Sequence, residues 1–164
     1  MKQILLIRHA KSSWDDAAIN DIDRPLNDRG KKDAPKMAER LLDKKVKIDG
    51  FYSSPAKRAL ATCQLFVKAY EKKKKNIIES EELYEPRVEN FFNVVKNAAN
   101  DFDTIALFSH NPGITAFANQ LTHVQVDDMP TCSIFAIKAN IKKWNEFEEA
   151  EKLFWFFDYP KLKE

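Results

Sequence analysis

The chain has 164 residues, 44% of them hydrophobic and 32% charged, the proportions of a soluble globular protein with material for one core but not two. Its 27 basic and 25 acidic residues leave a formal charge of +2, without the clustered cationic excess that a nucleic-acid footprint needs. Three glycines in all, Gly30, Gly50 and Gly113, exclude a Walker A loop and a three-glycine dinucleotide fingerprint.

In chain order, Ile4-Leu5-Leu6-Ile7 is an unbroken apolar run, the pattern of a strand buried on both faces of a parallel sheet. It ends in Arg8-His9. A polar stretch from Ala10 to Leu26 follows, with Trp14 and aspartates near Arg24. Asn27 is placed to cap an amphipathic helix running to about Lys44, with Ala34, Met37, Ala38, Leu41 and Leu42 inward. A second short strand is expected at Gly50–Ser53. Ser54-Pro55 then reads as N-cap and first position of a helix to about Glu71, which puts Arg58 four positions into it.

The run Lys72 to Lys75 reads as a solvated loop, and Ile77-Ile78 as a short edge strand. A helix is predicted over Val88–Ala99 and a third buried strand over Thr104–Phe108, ending in Ser109-His110. Asn111-Pro112 repeats the cap-and-proline signal before a helix to about Leu121. Thr131–Lys138 and Lys152–Asp158 are expected as the last two strands, antiparallel to each other and joined by a long polar connection. Alternating strands and helices predict a single α/β domain over residues 1–164. Its three layers comprise a mostly parallel central sheet with helices on both faces and one antiparallel strand.

Cys63 and Cys132 are too few for a zinc cage and too far apart for a redox pair. Neither opens a Cys-x5-Arg phosphatase loop, because Ala69 and Lys138 stand where the arginine would be. Both read as small buried hydrophobes in a reducing compartment. The apolar run near the N-terminus is too short for a signal-peptide core, and no stretch is long enough to span a bilayer. The expected location is the cytoplasm.

Polar residues at the strand-to-helix junctions carry the chemistry. Ligands of open α/β sheets bind at the carboxyl ends of parallel strands. Arg8-His9 and His110 end two such strands, and Arg58 should lean over the end of a third. Two arginines, two histidines and two helix N-termini aimed at one sheet edge describe an anion pocket, with phosphate as the expected guest. A neutral imidazole there can attack phosphorus, and flanking arginines would favour its neutral form and stabilise the transferring oxygens. No metal or cofactor is implied. Asp101-Phe102-Asp103-Thr104 spells an aspartyl-phosphate motif, but it precedes a buried strand rather than following one, so it reads as loop. Asp21 and Asp23 are placed to orient Arg24 or Arg29, and His123 reads as a surface residue.

These residues resemble a known family. Leu6-Ile7-Arg8-His9-Ala10 resembles the Arg-His signature of the histidine phosphatase superfamily, which has the phosphoglycerate mutase-like fold. Ser53–Thr62 is similar to its second-arginine motif, Ser109-His110-Asn111-Pro112-Gly113 to its second-histidine motif, and Pro25–Gly30 to the segment opening its first helix. Arg8–Trp14 is most similar to the short SixA-type phosphohistidine phosphatases. The resemblance implies His9 as the phosphoryl-accepting nucleophile, with Arg8, Arg58 and His110 as phosphate ligands. It suggests Glu85, in Leu83-Tyr84-Glu85, as the general acid, with Glu81 and Glu82 as nearby alternatives. Ala10 replaces the commoner glycine after Arg-His. The expected substrate is a phosphohistidine on a partner protein, because the connections between motifs leave room for only modest loops and hence a shallow pocket, and because a phosphoramidate asks little of an enzymic acid. A phosphomonoesterase or mutase of small phosphorylated metabolites is the alternative. A phosphate-binding module without turnover is the alternative of another class. Neither nucleic acid nor membrane is expected as a partner.

Overall fold

The computed structural model describes residues 1–162. Six strands form one sheet: β1 (Lys2–Arg8), β2 (Gly50–Ser53), β3 (Ile78–Glu79), β4 (Thr104–Ser109), β5 (Ile134–Ala139) and β6 (Lys152–Asp158), in the order β3-β2-β4-β1-β5-β6. The first four pair in parallel, and β5 alone runs against its neighbours β1 and β6. This is the mixed, mostly parallel sheet that the alternation of elements predicts.

Side-chain alternation divides the core into two layers. Leu5 and Ile7 of β1 face α1 (Asp28–Asp43) and α2 (Lys57–Ala69), packing with Met37, Leu41 and Phe66. Ile4 and Leu6 face α3 (Val88–Lys96) and α4 (Gly113–Leu121), packing with Phe91, Phe117 and Trp144. β4 is buried along its whole length because β2 and β1 flank it and helices cover both faces. Both cysteines are buried and free.

Several expectations change in detail. α2 begins at Lys57, not at Pro55, because Ser54 turns its hydroxyl to the Ala56 N–H instead of capping the third helical amide. Arg58 is therefore the second helical residue. Asn111 does not cap α4 either: its peptide bond to Pro112 is cis, and its side chain binds Thr115 and Met129 instead. β5 begins at Ile134 because Cys132 takes a positive φ of 61° and its N–H turns to the Arg8 and His9 carbonyls. The β5–β6 connection is not wholly polar, since Trp144 and Phe147 bury themselves under α3 and α4. α3 ends at Lys96, and β3 is shifted one residue from its expected place.

Candidate active site

Register brings the two histidines together. β1 and β4 are adjacent and parallel, with Arg8 opposite Ser109. The next residue on each strand is His9 and His110, whose ring centroids lie 5.1 Å apart. β2 flanks β4 on the other side, and the Ser54 N–H bonds the Phe108 carbonyl, so the start of α2 lies over the same sheet end. All four candidates, Arg8, His9, Arg58 and His110, thus gather at one strand-end cluster.

Each is fixed by partners from elsewhere in the chain. His9 is 6% exposed, and its Nδ1 sits 2.8 Å from the Ala10 carbonyl oxygen. A carbonyl only accepts, so Nδ1 carries the proton and Nε2 keeps its lone pair. Thr62 locks this turn: its hydroxyl accepts from the Ala10 N–H and donates to the Arg58 carbonyl. Arg8 donates through Nη1 to the Met129 carbonyl at 2.7 Å. Arg58 donates through Nη1 to the Asp21 carbonyl and through Nη2 to the Asp21 carboxylate, at 2.7 and 3.0 Å. Nε2 of His110 lies 2.8 Å from the Ser54 hydroxyl, which already accepts the Ala56 N–H. With that hydroxyl donating its proton to Nε2, the His110 proton is carried on Nδ1.

Three buried nitrogens of this cluster have no protein partner: Nε of Arg8, Nε of Arg58 and Nδ1 of His110. Buried donors are nearly always satisfied in folded proteins. Three together around an imidazole with a free Nε2 form a set of donors suited to an oxyanion.

The electrostatics keep both imidazoles neutral. Burial, reinforced by His110, Arg58 and Arg8, outweighs the Ala10 hydrogen bond and lowers His9 to about 3. Burial and Arg58 likewise lower His110 to about 3, against the opposing pull of Asp21. The arginine charges act in the direction read from the sequence, but desolvation is the larger cause. Arg8 is lowered by its own burial, partly offset by Asp128.

A cavity of about 570 Å³ opens at the Arg58 and His110 side of the cluster, bounded also by Asp21, Tyr84, Glu85 and Asn111. Glu85 is exposed on its rim with a φ of 48°, a left-handed conformation uncommon for a residue with a side chain. Gly113 helps hold this loop, because a Cβ there would fall on the Pro86 carbonyl oxygen. Glu82 is turned away, accepting from Asn90 and Asn93 of α3. Glu81 is exposed and does not line the cavity. Among the described residues no three His, Cys, Asp or Glu side chains gather as a metal site.

Asp21, Ser54, Thr62 and Tyr84 also belong to this site, with no local sequence pattern of their own that assigns them to it. Asp21 does bind Arg24, as one of the expected alternatives has it, but it also holds Arg58 and accepts from the Tyr84 hydroxyl at 2.8 Å. Burial raises the Asp21 carboxyl, yet the hydrogen bonds from Tyr84 and Arg58 outweigh it and hold the group at about 2. Arg29 pairs instead with Asp33. Ser54 and Thr62 lie inside the second-arginine motif, and Tyr84 lies beside Glu85, so motif membership was the available signal. His123 is exposed, and Asp103 approaches Lys2 far from the site.

Comparison with known proteins agrees with this geometry. A family model for the histidine phosphatase superfamily (branch 1) matches residues 4–90, more than half of the chain, and the chain belongs to that family. The match covers Arg8, His9, Arg58 and Glu85; His110 lies beyond it and joins them through the sheet register. Membership supports phosphatase chemistry. An uncharacterised chloroplastic protein of Arabidopsis thaliana is 28% identical over 157 residues, covering 88% of this chain and 70% of that protein. Phosphoglycerate mutase-like protein 4 of the same plant is 40% identical over 65 residues, 38% of this chain and 28% of its own length. The protein histidine phosphatase SixA complexed with tungstate superposes with a TM-score of 0.81 at 21% identity, over 96% of this chain and 97% of that one. SixA from Agrobacterium tumefaciens gives 0.81 at 22% identity, over 97% and 98%. The fold is therefore phosphoglycerate mutase-like. Among the described residues no helix is long and apolar enough to cross a membrane.

Proposed function

We propose that this chain is a phosphatase that passes the phosphoryl group through His9 and that its substrate is a phosphohistidine on another protein. The observation that carries the reading is the set of three buried, unpartnered nitrogens on Arg8, Arg58 and His110 beside the free Nε2 of His9. In the first step the Nε2 lone pair attacks phosphorus, and the bond from phosphorus to the leaving nitrogen breaks with its electron pair. Nδ1–H donates to the Ala10 carbonyl throughout, so the ring becomes a phosphorylated imidazolium held by a fixed hydrogen bond. In the second step water attacks phosphorus, the phosphorus–Nε2 bond breaks, and phosphate leaves with the neutral ring restored. Arg8 and Arg58 meet the equatorial oxygens of the loose transition state through donors already in place.

Glu85 is the residue we assign to proton transfer at the leaving group, from its position on the cavity rim. A phosphoramidate that arrives with a protonated leaving nitrogen gains little from it, whereas an alkoxide leaving group needs it. This chain and SixA cover one another almost completely, so this chain carries no large insertion relative to it, and so small a domain suits a phosphorylated side chain presented on a protein surface. No metal is assigned a role, and the buried thiols suit a reducing compartment such as the cytoplasm. The exposed Glu85 favours one second reading, hydrolysis of small phosphomonoesters. A mycobacterial glucosyl-3-phosphoglycerate phosphatase shares the fold at a TM-score of 0.66.

The test is a panel of phosphohistidine peptide, phosphotyrosine and sugar phosphates at matched concentration with and without chelator, and a rapid acid-free quench. The expected result is fastest turnover of phosphohistidine, indifference to chelator, and alkali-stable, acid-labile label on His9. Label elsewhere, or fastest turnover of a sugar phosphate, overturns the reading.

A further inference from the structure

Four lysines gather beside the site in a chain whose acids and bases nearly balance. A groove of about 460 Å³ is lined by Lys31, Lys57, Lys68 and Lys74, and no carboxylate lines it. All four are exposed, and none pairs with a carboxylate among the described residues. Between them lies an apolar floor that includes Leu26, Ala61 and Leu65. The groove is therefore cationic at its walls and greasy at its base.

Its position follows from helix geometry. Lys57, Ala61, Leu65 and Lys68 fall at i, i+4, i+8 and i+11 of α2, one stripe of that helix, roughly 16 Å long at 1.5 Å per residue. The stripe starts one residue before Arg58. Lys31 joins it from the first turns of α1, and Lys74 from the short 3-10 turn after α2. The segment between groove and site is short as well, since Asp21 bounds the site cavity and Leu26 the groove.

We propose that this groove is the docking surface for an acidic amphipathic segment of the phosphorylated substrate protein, gripping it while its phosphohistidine enters the adjacent cavity. The inference rests on the phosphoprotein reading above. Carboxylates of the partner lie against the four lysines, and an apolar side chain between them covers Ala61 and Leu65. Charge complementarity of this kind speeds encounter and fixes register more than it deepens affinity. A single-stranded nucleic acid fits less well, because no aromatic side chain lines the groove for a base to stack on.

The experiment uses two phosphohistidine peptides of equal length, one with four glutamates flanking the phosphohistidine and the other with four glutamines, alongside free phosphohistidine. The wild-type chain should turn over the glutamate peptide about tenfold faster in kcat/KM at low salt. The triple variant Lys31→Glu, Lys68→Glu, Lys74→Glu should erase or invert that preference while its turnover of free phosphohistidine stays within about twofold. A milder triple Lys→Gln variant should reduce the preference if the charge reversal impairs folding. Fluorescence anisotropy with the unphosphorylated glutamate peptide reads docking apart from catalysis: wild type binds, the triple variant does not. Equal kcat/KM for the two peptides, or a preference that survives the triple variant, overturns the proposal. So does tighter binding of an oligothymidylate than of the glutamate peptide, or a concentration-dependent dimer that the triple variant dissociates. If no phosphohistidine is turned over but the glutamate peptide binds selectively, the phosphatase reading fails and the groove stands.

Discussion

Two cationic regions adjoin at the start of α2, one at the strand ends and one along the helix, and they are built in opposite ways. In the cluster around His9 the arginines are largely buried, each tied to a backbone carbonyl, and the imidazoles are stripped of water. In the neighbouring groove the cations are lysines, exposed on flexible stems over an apolar floor. Forked donors held in fixed positions meet the geometry of a transferring phosphoryl group, whereas mobile ammonium groups follow charge without dictating shape. Burial makes the first region strong and indifferent to salt; exposure makes the second adaptable and screened. On the readings proposed above, the same sign of charge would serve chemistry in one place and attraction in the other.

The contrast can be broken most sharply at its centre. If His9 is the nucleophile, as proposed, His9→Ala should reduce phosphohistidine turnover by a factor on the order of 10⁴ or more. Steady-state assay and loss of covalent label check this together. Arg58→Ala should cost about 10²–10³-fold in kcat, the scale of a lost transition-state donor. Arg58→Lys should recover little of that loss, since one ammonium cannot hold Asp21 through two donors and still present a third.

Glu85→Gln should divide substrates by leaving group. Hydrolysis of an alkyl phosphomonoester should fall about 10²-fold, and that of a phosphoramidate by less than about threefold. Equal losses on both would count against Glu85 as the acid. Smaller again is the effect of salt. Raising ionic strength from about 0.05 to 0.5 M shortens the screening length severalfold. It should lower kcat/KM severalfold on a glutamate-rich phosphopeptide and leave free phosphohistidine nearly unchanged.

The last prediction concerns stability. Unfolded, each imidazole titrates near 6.5; folded, His9 and His110 are lowered to about 3. Between those values the unfolded chain binds protons that the folded chain refuses, so stability is complete above about pH 6.5 and is lost as pH falls toward 3. Urea midpoints at pH 7.5, 6.0 and 5.0 should decline in that order, with a smaller decline in His110→Gln. A flat profile would contradict the burial of the two rings.

Much of the site was legible in the chain because the informative residues sit in short, local patterns. Arg8-His9 follows an apolar run, Arg58 opens a helix after Ser54-Pro55, and Ser109-His110 closes a second run. Each pattern names its own side chain and its own sheet end. What holds those side chains is not local. Thr62 reaches Ala10 across 52 residues, and Tyr84 reaches Asp21 across 63. A hydroxyl at either position has many possible partners in sequence and only one in space.

The helix starts were misjudged for a related reason. Serine or asparagine before proline signals a cap only when its side chain is free to turn back on the helix. Ser54 is engaged by His110 and Asn111 by Thr115 and Met129, so both helices begin later. By itself the sequence determined the strand and helix alternation, the mixed sheet and the two arginines and two histidines at its edge, because periodicity and short strand-end patterns act within a few residues. Only the tertiary structure decided that β1 and β4 are neighbours in register, that burial rather than arginine charge dominates the neutral imidazoles, and that four scattered lysines share one groove. Those outcomes depend on which surfaces lose water against one another, and that is settled when the chain packs.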